Sequence, residues 1–149
     1  MALGDNTLRS AAGNSQRGRN PFMVQTTLNW ATALSDKGSA LAAADVVPVI
    51  AVPKGTMILN AGIEVDTATD GSTFTVDLGT GVDPDVFVDG FDATSAAAVV
   101  AQNPAVYQPV MAVADDNIDV TIASLSGGAV TSGKFRVWAV LMDCTDMGD

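Results

Sequence analysis

The sequence predicts an all-β protein: an antiparallel β-sandwich, jelly-roll-like, carrying an extended N-terminal arm. Three observations lead there. From Pro21 onward, apolar and polar residues alternate with a period of two over short stretches. Gly, Asp and Pro punctuate these stretches. No helical pattern is long enough to supply the crossovers of a parallel sheet. A chain of 149 residues suits one domain, able to bury roughly 70% of its unfolded surface. We divide it into an arm over residues 1–22 and a sandwich over 23–149. No internal repeat is apparent.

Taken in order, Val24, Thr26, Leu28, Trp30, Thr32 and Leu34 alternate with Gln25, Thr27, Asn29, Ala31 and Ala33, the pattern of one half-buried strand. A second strand spans Val46 to Val52, where Pro48 implies a sheet edge or a bulge. Met57, Leu59, Ala61, Ile63 and Val65 then share one face, opposite Asn60, Gly62, Glu64 and Asp66. Asp70-Gly71 is a strong turn signal, and Phe74, Val76 and Leu78 alternate beyond it, so 57–78 is expected to form a hairpin. Further strands are expected at Asp85–Val88, Tyr107–Val113, Ile118–Ala123 and Phe135–Asp143, the last two joined by the Gly- and Ser-rich stretch between them. The segments 35–45 and 94–103 are alanine-rich and read equally as short helices or as loops. About eight short strands with such punctuation make a sandwich of the jelly-roll kind.

Charge narrows the function. Hydrophobic residues make up 48% and charged residues 16%, against about 25% charged in ordinary soluble domains, which suits a surface partly covered by partners. Net charge is −10. Three arginines against Asp5 put the first 20 residues at +2, which leaves −12 on the remainder. Such a field repels nucleic acid, so no nucleic-acid partner is expected. No stretch approaches the ~20 apolar residues that span a bilayer, and no apolar export signal stands at the N-terminus. Cys144 is the single cysteine, which leaves no internal disulfide and no cysteine-based zinc site, and reads as a plain small residue in a protein made in a reducing cytoplasm.

Catalytic chemistry is nearly absent from the pattern. There is no histidine, which removes the usual general base, the commonest metal ligand and every Ser-His or Cys-His nucleophile. Gly79-Thr80-Gly81 is too short for a dinucleotide fingerprint. We expect no enzyme and no cofactor. Asp77, Asp83, Asp85, Asp89 and Asp92 do cluster within sixteen residues, and calcium needs converging hard oxygens. Their spacing departs from the EF-hand pattern, and aspartate is also a default turn residue because its carboxylate accepts nearby backbone N–H groups. The turn reading is preferred, and the same applies to Asp115-Asp116-Asn117. Trp30 and Trp138 read as core or interface residues; the strand around Trp138 is apolar on both faces, which fits a central strand or a subunit contact.

The arm is rich in Gly, Ala, Asn, Ser and Gln, too polar to offset its own ordering entropy. It is either a plain disordered terminus or a segment that orders along a neighbouring subunit. On the second reading Arg9, Arg17 and Arg19 pair with acidic groups, and Leu3, Leu8 and Phe22 act as apolar pegs. Arginine suits the task, because its planar fork meets carboxylates bidentately.

The run VVPVIAVPKGTMILNAGIEVDTATDGSTFTVDLGTGVDPDVFVDG, with GKFRVWAVLMD later, resembles the small capsid decoration (cement) proteins of tailed bacteriophages, cyanophage-like ones in particular. The shared pattern covers roughly residues 24–143: a P-x-G-T turn before a long strand, a D-L-G-T-G-x-D-P-D loop and a final R-V-W-A strand. The resemblance implies a jelly-roll-like fold and binding to the outer face of the major capsid protein lattice, as a homotrimer on the virion surface. It carries over no catalytic residue. A head-fibre or tail-associated phage protein would share this composition. A carbohydrate-binding sandwich is the rival of a different class, and it requires exposed Trp30 or Trp138.

Overall fold

A computed structural model describes residues 20–101 and 109–144. Its elements are β1 (Phe22–Asn29), α1 (Trp30–Lys37), β2 (Val46–Val52), β3 (Thr56–Thr67), β4 (Thr73–Thr80), β5 (Val88–Asp92), β6 (Val99–Ala101), β7 (Val110–Met111), β8 (Asp116–Ser126) and β9 (Lys134–Asp143). They form two antiparallel sheets. The first runs β1-β9-β3, with β6 and β7 both on the free edge of β3, and the second runs β2-β8-β4-β5. Pairing is nested: β1 with β9, β2 with β8, β3 with β6 and β7, β4 with β5. The chain is thus one long hairpin turned at residues 81–87 and rolled so that its strands alternate between sheets, which is a jelly roll.

That topology overturns the expected hairpin over 57–78. β3 and β4 lie in different sheets, and β4 pairs instead with β8 and β5. The Asp70-Gly71 link does not close a tight turn, because the Asp70 carboxylate is held elsewhere. Its Oδ1 accepts the N–H groups of Thr131 (2.8 Å) and Ser132 (3.1 Å), and its Oδ2 accepts the Thr131 hydroxyl. Asp70 therefore clasps the β3–β4 crossing to the β8–β9 crossing.

The first strand is also shorter than expected. β1 ends at Asn29, whose side chain accepts the Ala31 N–H at 3.0 Å and caps α1. Trp30, Ala33 and Leu34 stand at i, i+3 and i+4, so the same residues satisfy a helical period as well as alternation. The cap decides between the two. Gly38 ends the helix in the left-handed conformation (φ 69°) and donates to Leu34 O. Lys37 in the last turn bonds Ala40 O and Asp45, and this pairing holds the Asp45 carboxyl below its usual range. Of the two ambiguous segments, 35–45 contributes the end of α1 and then a loop; of 94–103, the described residues 94–101 lead through turns into β6 without a helix.

In β3 the burial phase slips. Ile58 faces the core, Leu59 stands at a bulge between Ile58 and Asn60, and Ala61, Ile63 and Val65 then face inward. Met57 and Leu59, expected on the core face, therefore lie on the opposite one. Pro48 lies on the edge strand β2 beside a bulge, as expected. β5 begins where the strand expected at 85–88 was to end, because Pro84 and Asp85 belong to the turn of the roll. Of the strand expected at 107–113, only Val110–Met111 forms among the described residues; 102–108 lie outside them.

The core fills the space between the sheets. Ile63, Val65, Phe135, Val137 and Ala139 from the first meet Phe74, Val76, Leu78, Val120 and Ile122 from the second, all with no exposed surface. Trp30 plugs one end. Its ring meets Phe74 of the second sheet edge-on at 4.9 Å and Phe135 of the first at 5.4 Å, geometries worth about 0.5–1.5 kcal/mol each beyond burial. Its backbone N–H is held by Gly133 O at 3.0 Å, while its indole N–H has no partner. Cys144 is buried and donates its N–H to Gly55 O.

Two outcomes are expected. Trp30→Ala lowers unfolding free energy in urea by about 3–5 kcal/mol, whereas Trp30→Phe costs distinctly less, since it also removes the unpaired indole N–H; equal losses would show that the ring does not bridge the sheets. The second concerns acid. Bonds from Thr131 and Ser132 lower the Asp70 carboxyl to about 2. A depressed folded value contributes stability above the unfolded value near 4 and loses it as pH falls toward 2. Asp70→Asn should flatten the dependence of melting temperature on pH between about 4 and 2, leaving the curve above pH 5 displaced but parallel; an unchanged slope would contradict the clasp.

Candidate interaction surfaces

Strand parity sorts the polar residues. On the second sheet, Thr75, Asp77, Asp92, Asp119 and Thr121 face outward. On the first, the outward rows carry an apolar patch, with Met57 opposite both Met142 and Met111, Met23 opposite Val140 and Trp138 beside Gly62, bordered by Gln25, Thr27 and Asn60. Met23 is 63% exposed. The Trp138 ring lies directly across Gly62, where an added Cβ would fall 2.3 Å from Cζ2, so only glycine admits the ring at that place. The ion pair of Arg136 Nη1 with Glu64 Oε2 (2.8 Å) closes this face and neutralises it. A sheet surface with an apolar patch and no net charge suits contact with another protein.

The aspartate-rich stretch builds the turn of the roll. Thr80 N–H bonds Asp83 O and Phe87 N–H bonds Leu78 O, folding the turn back over Gly79. A Cβ at Gly79 would fall 2.2 Å from the Asp83 and Pro84 backbone. Asp77 Oδ1 accepts the Gly90 N–H at 2.7 Å, and Asp92 Oδ1 accepts both Thr94 N–H and its hydroxyl, which lowers the Asp92 carboxyl. These two carboxylates organise turns, as preferred from sequence. Among the described residues, no three metal-ligating side chains converge on one point.

Acids nonetheless crowd this end. Asp83 is raised above its usual value by its hydrogen bond with Asp85. Burial, then the charges of Asp89 and Asp85, raises Asp77. Burial, then the charge of Asp116, raises Asp119. Between the sheets at the same end opens a groove of about 530 Å³, floored by Val52, Ile58 and Val110 and flanked by Val82, Val113, Asp83, Asp115 and Asp116. Val82 and Val113 are 87% and 78% exposed. Its walls are tied together: Asp116 Oδ1 accepts from Gly81 and Asn117, and Asp115 Oδ1 accepts the Lys54 N–H. Asp115 and Asp116 thus hold the β7–β8 crossing against neighbouring loops, a turn role with long-range partners.

Of the contact residues expected in the arm, Leu3, Leu8, Arg9, Arg17 and Arg19 lie outside the described residues. Phe22 opens β1 opposite Leu141 and is 47% exposed. Trp30 is core, and Trp138 belongs to the outer apolar face. Sequence reading missed the groove, whose walls come from separate segments around Val52, Val82 and Val113; the only local signal was Val82, an isolated valine among glycines and aspartates. No helix among the described residues is long and apolar enough to cross a membrane.

Comparison with known proteins places this architecture. No protein-family model matches the sequence, and no curated protein matches it. Among solved structures, a chain of the capsid asymmetric unit of cyanophage Pam1 is similar with a TM-score of 0.65 at 16% identity, covering 95% of this chain and 97% of that one. A chain of the Ralstonia phage GP4 capsid gives 0.57 at 17% identity, over 93% and 90%. One from the acid-stable capsid of Helicobacter pylori bacteriophage KHP30 gives 0.52 at 13%, over 80% and 86%. At such identities the likeness is one of fold, and this chain shares that fold, over most of its length, with chains of three phage capsid structures.

Proposed function

We propose that the protein is a structural component of a tailed-phage virion that decorates and stabilises the capsid by binding the outer face of the major capsid protein lattice. The carrying observation is the extent of the likeness to the cyanophage Pam1 chain. Nearly all of each chain is covered, so the likeness extends over the whole sandwich. The outer face of the first sheet supports the reading, because its one ion pair leaves no net charge beside exposed apolar residues such as Met23 on an otherwise acidic body.

A repeated lattice favours a symmetric binder. A homotrimer engaging several capsomers at once gains affinity through effective concentration, and the arm, through Leu3, Leu8, Arg9, Arg17, Arg19 and Phe22, adds contacts to a neighbouring subunit. The role is non-enzymatic. It is consistent with a histidine-free sequence and with turn aspartates bonded to backbone N–H groups. Trp30, which has no exposed surface, offers no platform for a sugar ring, and Trp138 is only half-buried on the outer face with its ring packed across Gly62.

Purified capsids lacking this protein provide the test. Added full-length chain should co-sediment with them and appear in cryo-electron microscopy as extra density on the outer surface. The chain without residues 1–20 should bind at least about tenfold more weakly, the loss expected for a few desolvated arginine pairs. Absence of outer density would refute the decoration reading, and undiminished binding by the shortened chain would refute the role of the arm.

A further inference from the structure

We propose that the groove between the sheets is the seat of residues 1–19 from a second copy of this chain, with Leu3 and Leu8 entering its apolar floor and Arg9, Arg17 and Arg19 pairing with Asp83, Asp115 and Asp116. The inference rests on the reading of the arm as a subunit contact and names the surface it contacts.

Charge is the first argument. The first 20 residues carry +2, beside −12 on the remainder. Two such bodies repel, and association needs a cationic link. The groove joins both requirements of this occupant: an apolar floor of Val52, Ile58 and Val110, and a flank of three carboxylates. Asp83 already lies against Asp85, whose hydrogen bond and charge raise the Asp83 carboxyl; an arginine fork brought to Asp83 supplies the opposite charge. Val82 and Val113 stand exposed at the flank, where an incoming leucine would cover them.

Position is the second argument. Phe22 pairs with Leu141, Leu141 with Ile58, and Ile58 with Val110, so the arm leaves β1 at the groove end of the sandwich. Three strand spacings, about 14 Å, separate its exit from the groove. Nineteen extended residues reach about 60 Å, ample for a neighbouring copy.

Direction favours the neighbour over the chain's own groove. β1 is the edge strand farthest from β7, and Pro21 holds Asn20 extended as the chain departs. Across the end between exit and groove stands the bond from Cys144 N–H to Gly55 O, at 2.9 Å, joining the strand β9 exit to the β2–β3 turn. Reciprocal exchange around a symmetry axis avoids that obstacle, fills every groove and leaves no unpaired arm.

Sedimentation velocity on the purified full-length chain, without capsids, tests this apart from the decoration reading. The protein should self-associate, less at 0.5 M than at 0.05 M salt, as a screened charge contact requires. The double variant Asp83→Lys/Asp115→Lys should weaken association by about tenfold or more, as should the triple variant Arg9→Glu/Arg17→Glu/Arg19→Glu. Combining all five substitutions in one chain should restore it, a rescue that misfolding cannot imitate. Val82→Ser/Val113→Ser should weaken association without abolishing its salt dependence. A chain that stays monomeric at every concentration, a groove variant that associates like the parent, or a five-fold variant that fails to recover would each overturn the proposal. Capsid binding that persists while self-association is lost would leave decoration standing and remove only its link to arm exchange.

Discussion

Everything in this fold depends on joining two sheets that share few chain-local contacts, and Trp30 is where that junction is tightest. The residue belongs to neither sheet. It begins the helix that leaves β1, and its ring meets Phe74 on one side and Phe135 on the other. Because Gly133 O holds its backbone N–H, the β1 exit and the β8–β9 crossing are fixed to each other at the same place. Asp70 then binds the β3–β4 crossing to that crossing from outside. One aromatic plug and one carboxylate clasp thus secure three of the chain's passages between sheets.

The same dependence explains what could be read from the sequence. Alternation found strands at β2, β3, β4, β8 and β9, because that signal is local and burial on one face enforces it. Pairing could not be read so directly. Asp70-Gly71 has the composition of a hairpin turn, yet the carboxylate that would organise such a turn bonds residues sixty positions later. Residues 30–34 satisfy two periods at once, and only the Asn29 side chain, turned onto the Ala31 N–H, tips them into a helix. In β3 the slip at Leu59 exchanged the faces of Met57 and Ile58, an error that the period of two makes unavoidable once a bulge goes unseen. The groove was invisible for the same reason as the pairing, being assembled from Val52, Val82 and Val113 in three separate segments.

The aspartates show how one residue type divides its work by surroundings. Asp70 and Asp92 accept several donors each and are lowered; they are structural, and full ionisation favours the fold. Asp83 is raised by Asp85, Asp77 by burial and then by Asp89 and Asp85, and Asp119 by burial and then by Asp116. Stability alone would not favour keeping that second set together. At the groove, Asp83, Asp115 and Asp116 stand beside the exposed Val82 and Val113, an arrangement suited to an incoming segment that combines cations with apolar side chains.

Topology brings that cluster and the arm to one end. The chain runs through four strands before it turns, and an even number of antiparallel passes returns it to the end from which it set out. The turn at 81–87 must therefore share an end with the start of β1, and nested pairing brings the close of β9 to the same place. The β2–β3 and β7–β8 crossings arrive there by the same parity. Arm, groove and carboxylates are consequently neighbours through strand count alone, with no need for a dedicated insertion. The opposite end, closed by Trp30 and clasped by Asp70, bears the work of holding the sheets together, and this leaves the groove end open to a partner.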